Sequence, residues 1–199
     1  MRWDLLFDDL ESQLDQEQRD EERALAIEEE RLRLGRLTLR DRLGAMAREA
    51  GDDPTASIRI ELRGGRVLEL RPLSFGRDWM SAAVRGPAPK DGQCIVPFAA
   101  IAAIIPTRAQ LDPSLAPSAE SSTRLAERIG LSFVLRDLCR RRAPVHLTTD
   151  DGRLHGTLDR VARDHVDLAL HEPGMPRRDR EVHGYRIVPL ERIILVDFG

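Results

Sequence analysis

The sequence IVPFAAI at residues 95–101 returns as IVPLERI at residues 187–193. Upstream of each copy, a β-like run turns through a Gly-Arg pair, Gly65-Arg66 in the first and Gly152-Arg153 in the second. The sequence RDWMS at residues 77–81 also matches RDHVD at residues 163–167. An internal repeat of this length indicates that one small β unit is used twice in the chain.

Each copy is predicted to contain a short helix followed by five short strands. Apolar and charged residues alternate over residues 58–63, and apolar residues recur at every second position over 166–170, as in half-buried strands. The helices are expected at residues 39–50 and 133–142, the second capped by Ser132. Five strands with tight turns favour a small SH3-like barrel. We therefore predict an α+β, mainly β protein with tandem five-stranded barrels, each preceded by a short helix.

A long acidic helix is predicted before the repeats. Residues 1–34 hold five Arg against twelve Asp and Glu. Their apolar residues recur at three- and four-residue steps near the start, are interrupted by a polar stretch at 15–23, and resume over 24–32. That stripe either covers a barrel in the same chain or binds a partner or a second copy. The predicted partner-binding residues are Trp3, Leu6, Phe7, Leu10 and Leu14.

Composition divides the rest of the chain. Residues 106–122 are rich in Pro, Ser and Ala, which is typical of a linker. The predicted domains are the acidic helix at 1–37, helix and barrel at 38–106, a linker at 107–122, and helix and barrel at 123–199. The N-terminus lacks a signal-peptide layout and the longest apolar run is too short to span a membrane, so a cytoplasmic protein is expected.

The second repeat resembles the Sm-like proteins. Residues 152–158 (GRLHGTL) followed by 164–168 (DHVDL) are similar to that family's first motif, and Gly156 lies where the family bends its second strand. The whole layout also resembles an actinobacterial family whose members are often labelled as Fis-type regulators. The Sm-like resemblance implies RNA binding, but Asp167 and Ser81 stand where the family has its RNA-reading Asn, and Val-Pro replaces its Arg-Gly pair. A Fis-type DNA reader would need a C-terminal helix-turn-helix, and residues 193–198 are predicted to be a strand.

Arginine is the basis of the nucleic-acid prediction. The net charge is −3, yet residues 35–142 carry eighteen basic and twelve acidic residues. Arg suits phosphate contacts, although a GC-rich genome also explains why Lys90 is the only Lys. The predicted nucleic-acid-binding residues are Arg59, Arg63, Arg66, Arg71, Arg140, Arg141 and Arg142.

Catalysis and metal binding are not expected. All five His, at positions 146, 155, 165, 171 and 183, are in the second repeat, at spacings that match no metal-ligand signature. The two cysteines, Cys94 and Cys139, are isolated and expected to be buried, and no cofactor motif is present. Two hypotheses remain: a nucleic-acid-binding protein, with RNA favoured over DNA, and a protein adaptor or homo-oligomeric scaffold that uses the N-terminal helix and the barrel edges.

Overall fold

The computed structural model describes residues 2–51, 53, 55–85, 92–117, 128–175 and 177–198, with side chains from residue 13 onward. The chain divides into two compact units, Met1–Thr38 and Leu39–Gly199. In the described part, no helix is both long and apolar enough to cross a membrane.

The first unit is a single helix, α1 (Arg2–Arg36). Its apolar residues Leu14, Leu25 and Ile27 are exposed. Ion pairs one turn apart join Arg19 to Asp15 at 3.6 Å and Arg33 to Glu30 at 2.6 Å. Ion pairs at this spacing stabilise a helix that is polar on nearly every face. The predicted long N-terminal helix is confirmed.

The second unit carries two helix-plus-strands repeats in one continuous order. Repeat 1 contains α2 (Leu39–Ala50), β1 (Ile58–Leu62), β2 (Val67–Phe75), β3 (Trp79–Arg85), β4 (Gln93–Pro97) and β5 (Ile101–Ile105). A short helix, α3 (Arg108–Leu111), follows. Repeat 2 contains α4 (Leu131–Arg140), β6 (Pro144–Thr149), β7 (Gly152–Val161), β8 (His165–Leu170), β9 (Gly184–Pro189) and β10 (Ile193–Phe198).

The ten strands form one antiparallel sheet in the order β5-β1-β2-β3-β4-β10-β6-β7-β8-β9. The α+β, mainly β class is therefore confirmed. Two closed barrels are not, because the sheet is open: β4 pairs with β10 of the other repeat, and β5 and β9 lie at its two ends. We call the β4–β10 pairing the inner junction, and β5 and β9 the outer edges.

The two repeats have the same pairing register. Met80 pairs with Val96 as Val166 pairs with Val188, and the irregularity after Pro72 in β2 returns after Leu158 in β7. Two connections differ in length: the first hairpin turn is one residue longer in repeat 1, and the connection from β8 to β9 is six residues longer than the one from β3 to β4. The register therefore makes Arg66 the equivalent of Gly152, and the alignment of Gly65 with Gly152 is wrong by one residue.

Each repeat has its own core, covered by its own helix. Leu43 and Met46 of α2 are buried in the first core, and Leu135 and Leu138 of α4 in the second. The inner junction exchanges side chains between the cores. Ile95 of repeat 1 is buried in the second core, while Ile194 and Leu195 of repeat 2 are buried in the first.

Two local expectations change. The stretch predicted as a linker begins with α3, whose capping box is formed by Thr107 and Gln110, and the buried Ser114 accepts a 2.7 Å hydrogen bond from Arg42 of α2. Residues 118–122 lie outside the described part. Ser132 does not cap α4, because the helix begins at Leu131, whose N–H donates to the Asp78 carboxylate of repeat 1 at 2.8 Å.

Candidate interaction site at the outer edges

The outer edge at β9 exposes apolar side chains. Tyr185 and Ile187 are 59% and 71% exposed, and they are two residues apart, so they lie on one face of the strand. β9 pairs with β8 on one side and forms the end of the sheet on the other. An edge strand offers unpaired N–H and C=O groups to another strand. β9 therefore offers both backbone hydrogen-bonding groups and exposed apolar side chains.

Two cavities flank Ile187. One, of about 340 Å³, is lined by the β6–β7 hairpin turn and by β9, including Arg153, Arg186 and Arg192. The other, of about 590 Å³, is lined by Asp164, His165 and the residues that join β9 to β10. The edge strand therefore has room on both sides for side chains of a bound segment.

Two of the three cations around the smaller cavity are paired with carboxylates, while the third, Arg186, donates to the Tyr185 carbonyl at 3.1 Å. Arg192 contacts Asp151 at 2.8 Å and Asp150 at 3.4 Å, and Arg153 contacts Asp197 at 2.9 Å. The hydrogen bond that Arg192 donates to Asp151 raises the pKa of its guanidinium. Paired charges of this kind suit a largely neutral protein strand better than a polyanion.

The outer edge at β5 is also apolar. Ala102 is exposed, and Ile101, Ile104 and Ile105 are half-buried. Ile101 and Ile104 pack against the first core from this end of the sheet. β5 pairs with β1 and ends the sheet on its other side.

The predicted nucleic-acid-binding arginines lie in two separate places. Arg59, Arg63, Arg66 and Arg71 belong to the first hairpin of repeat 1, and Arg140 to Arg142 to the C-terminal end of α4.

Several of these guanidinium groups have protein partners. Arg63 donates to the Glu191 carbonyl at 2.6 Å, which ties repeat 1 to repeat 2. Arg140 and Arg141 both contact the Asp137 carboxylate, and the hydrogen bond from Arg140 lowers the pKa of that group. Arg59 and Arg66 are exposed, but Arg59 lies opposite Glu69 in the ladder. The structure thus does not gather the predicted arginines into one patch.

The predicted partner-binding stripe on α1 is only partly described. Leu14 is 65% exposed, while the side chains of Trp3, Leu6, Phe7 and Leu10 lie outside the described part.

Three histidines form a row across repeat 2 that sequence analysis missed. His146 lies opposite His155 in the ladder with ring centroids 4.2 Å apart, and His155 lies 5.1 Å from His171. His171 is buried and its Nε2 lies 2.9 Å from the Thr157 hydroxyl. Burial lowers the pKa of His146 and His155. At the equivalent positions of repeat 1 the row is Arg59, Glu69 and Arg85.

Neither the histidines nor the cysteines form a recognisable reactive centre. Within the described residues, no group of three or more His, Cys, Asp or Glu is arranged to hold a metal ion. Cys94 is buried, as expected, and burial raises the pKa of its thiol to about 12, so it remains protonated. Cys139 is half-buried.

Comparisons with protein-family profiles, curated proteins and solved structures find no match to this chain. Its function must therefore be argued from the sites themselves.

Proposed function

We propose that this chain is a non-catalytic assembly protein whose outer edges bind a β-strand of a protein partner. The observation that carries the proposal is the exposure of Ile187. Its equivalent in repeat 1, Ile95, is only 1% exposed because a neighbouring repeat covers it. An isoleucine that is buried in one repeat and 71% exposed in the other marks a surface of the kind that a partner covers.

Strand addition explains why both backbone and side chains of β9 are available. Main-chain hydrogen bonds to an open edge supply affinity, while side chains that alternate between faces enter adjoining pockets and supply specificity. The cavities of about 340 and 590 Å³ lie where such side chains would enter.

We further propose that each repeat is a small unit of the Sm-like or SH3-like type. Repeat 1 has the strand order β5-β1-β2-β3-β4, and repeat 2 has the corresponding order β10-β6-β7-β8-β9. The shared order supports two copies of one fold, joined edge to edge in one sheet.

The test is sedimentation velocity of the labelled chain, alone and in an extract of its native cell. Ile187→Lys places a charge on the outer edge, and Phe133→Lys is the matched control because Phe133 is an exposed apolar residue on α4. We expect faster-sedimenting species for wild type and F133K and their loss for I187K. If I187K keeps those species, or wild type sediments as a lone chain in both conditions, the proposal is wrong.

Nucleic-acid binding, to RNA more than to DNA, is a second proposal, favoured by the exposed Arg59 and Arg66 on the first hairpin. Contacts to phosphate weaken steeply as salt rises. We expect binding to pooled RNA at low salt that the Arg59→Gln/Arg66→Gln variant reduces and that Arg178→Gln, an exposed arginine of repeat 2, does not. Absence of binding to pooled RNA and DNA at low salt would exclude this function.

A further inference from the structure

We infer that the strand received by β9 is β5 of a second copy of the chain, in the register that the inner junction already uses. The inference rests on the proposed function and names its partner. By register, β9 is the equivalent of β4, and β5 is the equivalent of β10. Each chain therefore contains one filled junction and the two halves of a second.

The inner junction predicts the residue pairs between copies. Val196, Asp197 and Phe198 of β10 pair with Ile95, Cys94 and Gln93 of β4. The corresponding pairs between copies are Ile104 with Ile187, Ile105 with Arg186, and Pro106 with Tyr185. Pro106 has no N–H to donate, so the ladder between copies ends there.

Side chains buried at the inner junction have exposed equivalents at the outer edges. Ile95 is 1% exposed and Ile187 is 71% exposed. On the other half of the junction, Leu131 at the start of α4 is 7% exposed, while its equivalent Leu39 at the start of α2 is 40% exposed. The outer edges thus expose apolar side chains whose equivalents at the inner junction are covered by the other repeat.

A polar contact at the inner junction also involves a residue that has an exposed equivalent at the outer edge. Asp78 accepts a hydrogen bond from Leu131 N–H, which joins the β2–β3 turn of repeat 1 to the first turn of α4. Its equivalent, Asp164, lines the larger cavity beside Ile187 and is largely exposed. In the proposed pairing, Asp164 of one copy approaches the first turn of α2 in the next.

The contact between copies is weaker than the inner junction. Ile194 and Leu195 of β10 are buried in the first core, but the equivalent residues of β5 are Ala102 and Ala103. Alanine buries less apolar area than isoleucine or leucine, so the outer contact stabilises association less. Reversible, concentration-dependent assembly follows.

Two different edges meet in this contact, so the assembly is head-to-tail. A head-to-tail contact forms a closed ring if its rotation closes and a filament if it does not. A pairing of β9 with β9 would instead stop at a dimer. Sedimentation equilibrium over a range of concentrations measures the mass of the assembly, and species larger than a dimer would exclude the β9–β9 pairing.

Cross-linking tests the register directly. A tagged Ile104→Cys chain is mixed with an untagged Ile187→Cys chain and treated with a short bismaleimide, with wild type as control for Cys94 and Cys139. We expect a mixed-mass product joining residues 104 and 187, and little product from either variant alone. A product from I187C alone at equal yield would overturn the head-to-tail arrangement.

Three further variants measure the contact. Ile187→Lys and Ile104→Lys are each expected to raise the dissociation constant more than tenfold, because each places a charge in an apolar junction. Asp164→Ala is expected to raise it about fivefold, as loss of a helix-capping side chain does. Phe133→Lys should leave it unchanged.

The outcomes separate this inference from the proposed function. If the purified chain is a monomer at all concentrations while I187K abolishes a complex in cell extract, the partner is another protein and the self-pairing inference is wrong. If I187K alters neither self-association nor complexes in extract, both are wrong.

Discussion

At the residue scale, Gly156 lies where β7 and β8 approach each other closely. A Cβ on Gly156 of β7 would overlap the Ala169 carbonyl oxygen of β8. Backbone atoms cannot move aside as the end of a flexible side chain can. The register irregularity of β7 lies further along the strand, between Leu158 and Arg160.

Gly156→Ala is expected to lower the free energy of unfolding by about 3 kcal/mol, since it overpacks a buried strand pair. Gly184→Ala is the matched control in the same repeat, because its Cβ would meet only Leu170 Cδ1 at an ordinary 3.8 Å. It should change stability by less than about 0.5 kcal/mol. Urea unfolding followed by circular dichroism measures both, and equal effects would contradict the steric argument.

The histidine row makes stability depend on pH. Burial, followed by Arg153 for His146 and by the neighbouring histidines for His155, lowers the pKa of both imidazoles from 6.5, while Asp197 and Glu172 oppose the shift. Below pH 6.5 the unfolded chain therefore binds more protons than the folded one. The contribution of these imidazoles to stability is complete above pH 6.5 and is lost as the pH falls through their lowered pKa values.

Replacing His155 tests this dependence. Both ring nitrogens of His155 are buried and lack a hydrogen-bond partner among the described residues, so His155→Leu removes a titrating group without breaking a hydrogen bond. We expect the loss of stability between pH 7.5 and 5.5 to become shallower in H155L. Exposed His183 provides the control, as His183→Gln should retain the wild-type slope. An unchanged slope in H155L would show that other groups cause the acid sensitivity.

At the element scale, α4 shows how periodicity alone assigns a buried face. Leu131, Leu135 and Leu138 recur at helical spacing and are buried in the second core, while Phe133 points away and is 58% exposed. We expect Leu135→Ala to cost about 3 kcal/mol of unfolding free energy, from lost transfer energy and a cavity. Phe133→Ala on the same helix should cost less than about 1 kcal/mol. Chemical unfolding compares the two, and similar losses would mean that α4 does not cover the core.

The strands were predictable one by one, but the inner junction was not. Alternation over residues 58–63 predicted β1, which ends one residue earlier, and the apolar run at 101–105 predicted β5 with the observed bounds. In β4 and β10, however, the apolar runs are continuous, and such a run does not specify which strand it pairs with. β4 pairs with β3 on one side, and whether its other side closes its own repeat or pairs with β10 is decided by packing between the repeats, which the sequence pattern does not encode.

The pairing of His146 with His155 could have been predicted from the sequence. Spacing along the chain separates His146 from His155, and no metal signature joins them. A two-residue hairpin turn at Asp150 and Asp151 pairs Thr149 with Gly152 and so places His146 opposite His155. The predicted turn also included Gly152. That longer turn shifts the pairing register of the two strands, so it does not place His146 opposite His155.

At the scale of the whole molecule, internal duplication is what connects fold to function. The repeat was visible in the sequence, and the register shows that its copies are equivalent strand by strand. Because the strands are equivalent, the inner junction shows how the outer edges would be covered. The exposure of Ile187 is therefore informative, whereas a single exposed isoleucine on a protein surface would not be. No such comparison with a buried equivalent exists for the exposed arginines, so the nucleic-acid hypothesis rests on their exposure alone.

The division into two compact units allows one further prediction about the whole chain. Deleting residues 1–38 removes one compact unit and leaves the unit that holds the sheet and its two cores. We expect the remaining chain to keep its β-rich circular dichroism, a single cooperative unfolding transition and a free energy of unfolding within about 0.5 kcal/mol of wild type. Self-association through the outer edges should also persist, as judged by sedimentation equilibrium beside full-length I187K. If the deletion abolishes association while I187K does not, the partner-binding surface is the apolar stripe of α1, and the argument from the open edges fails.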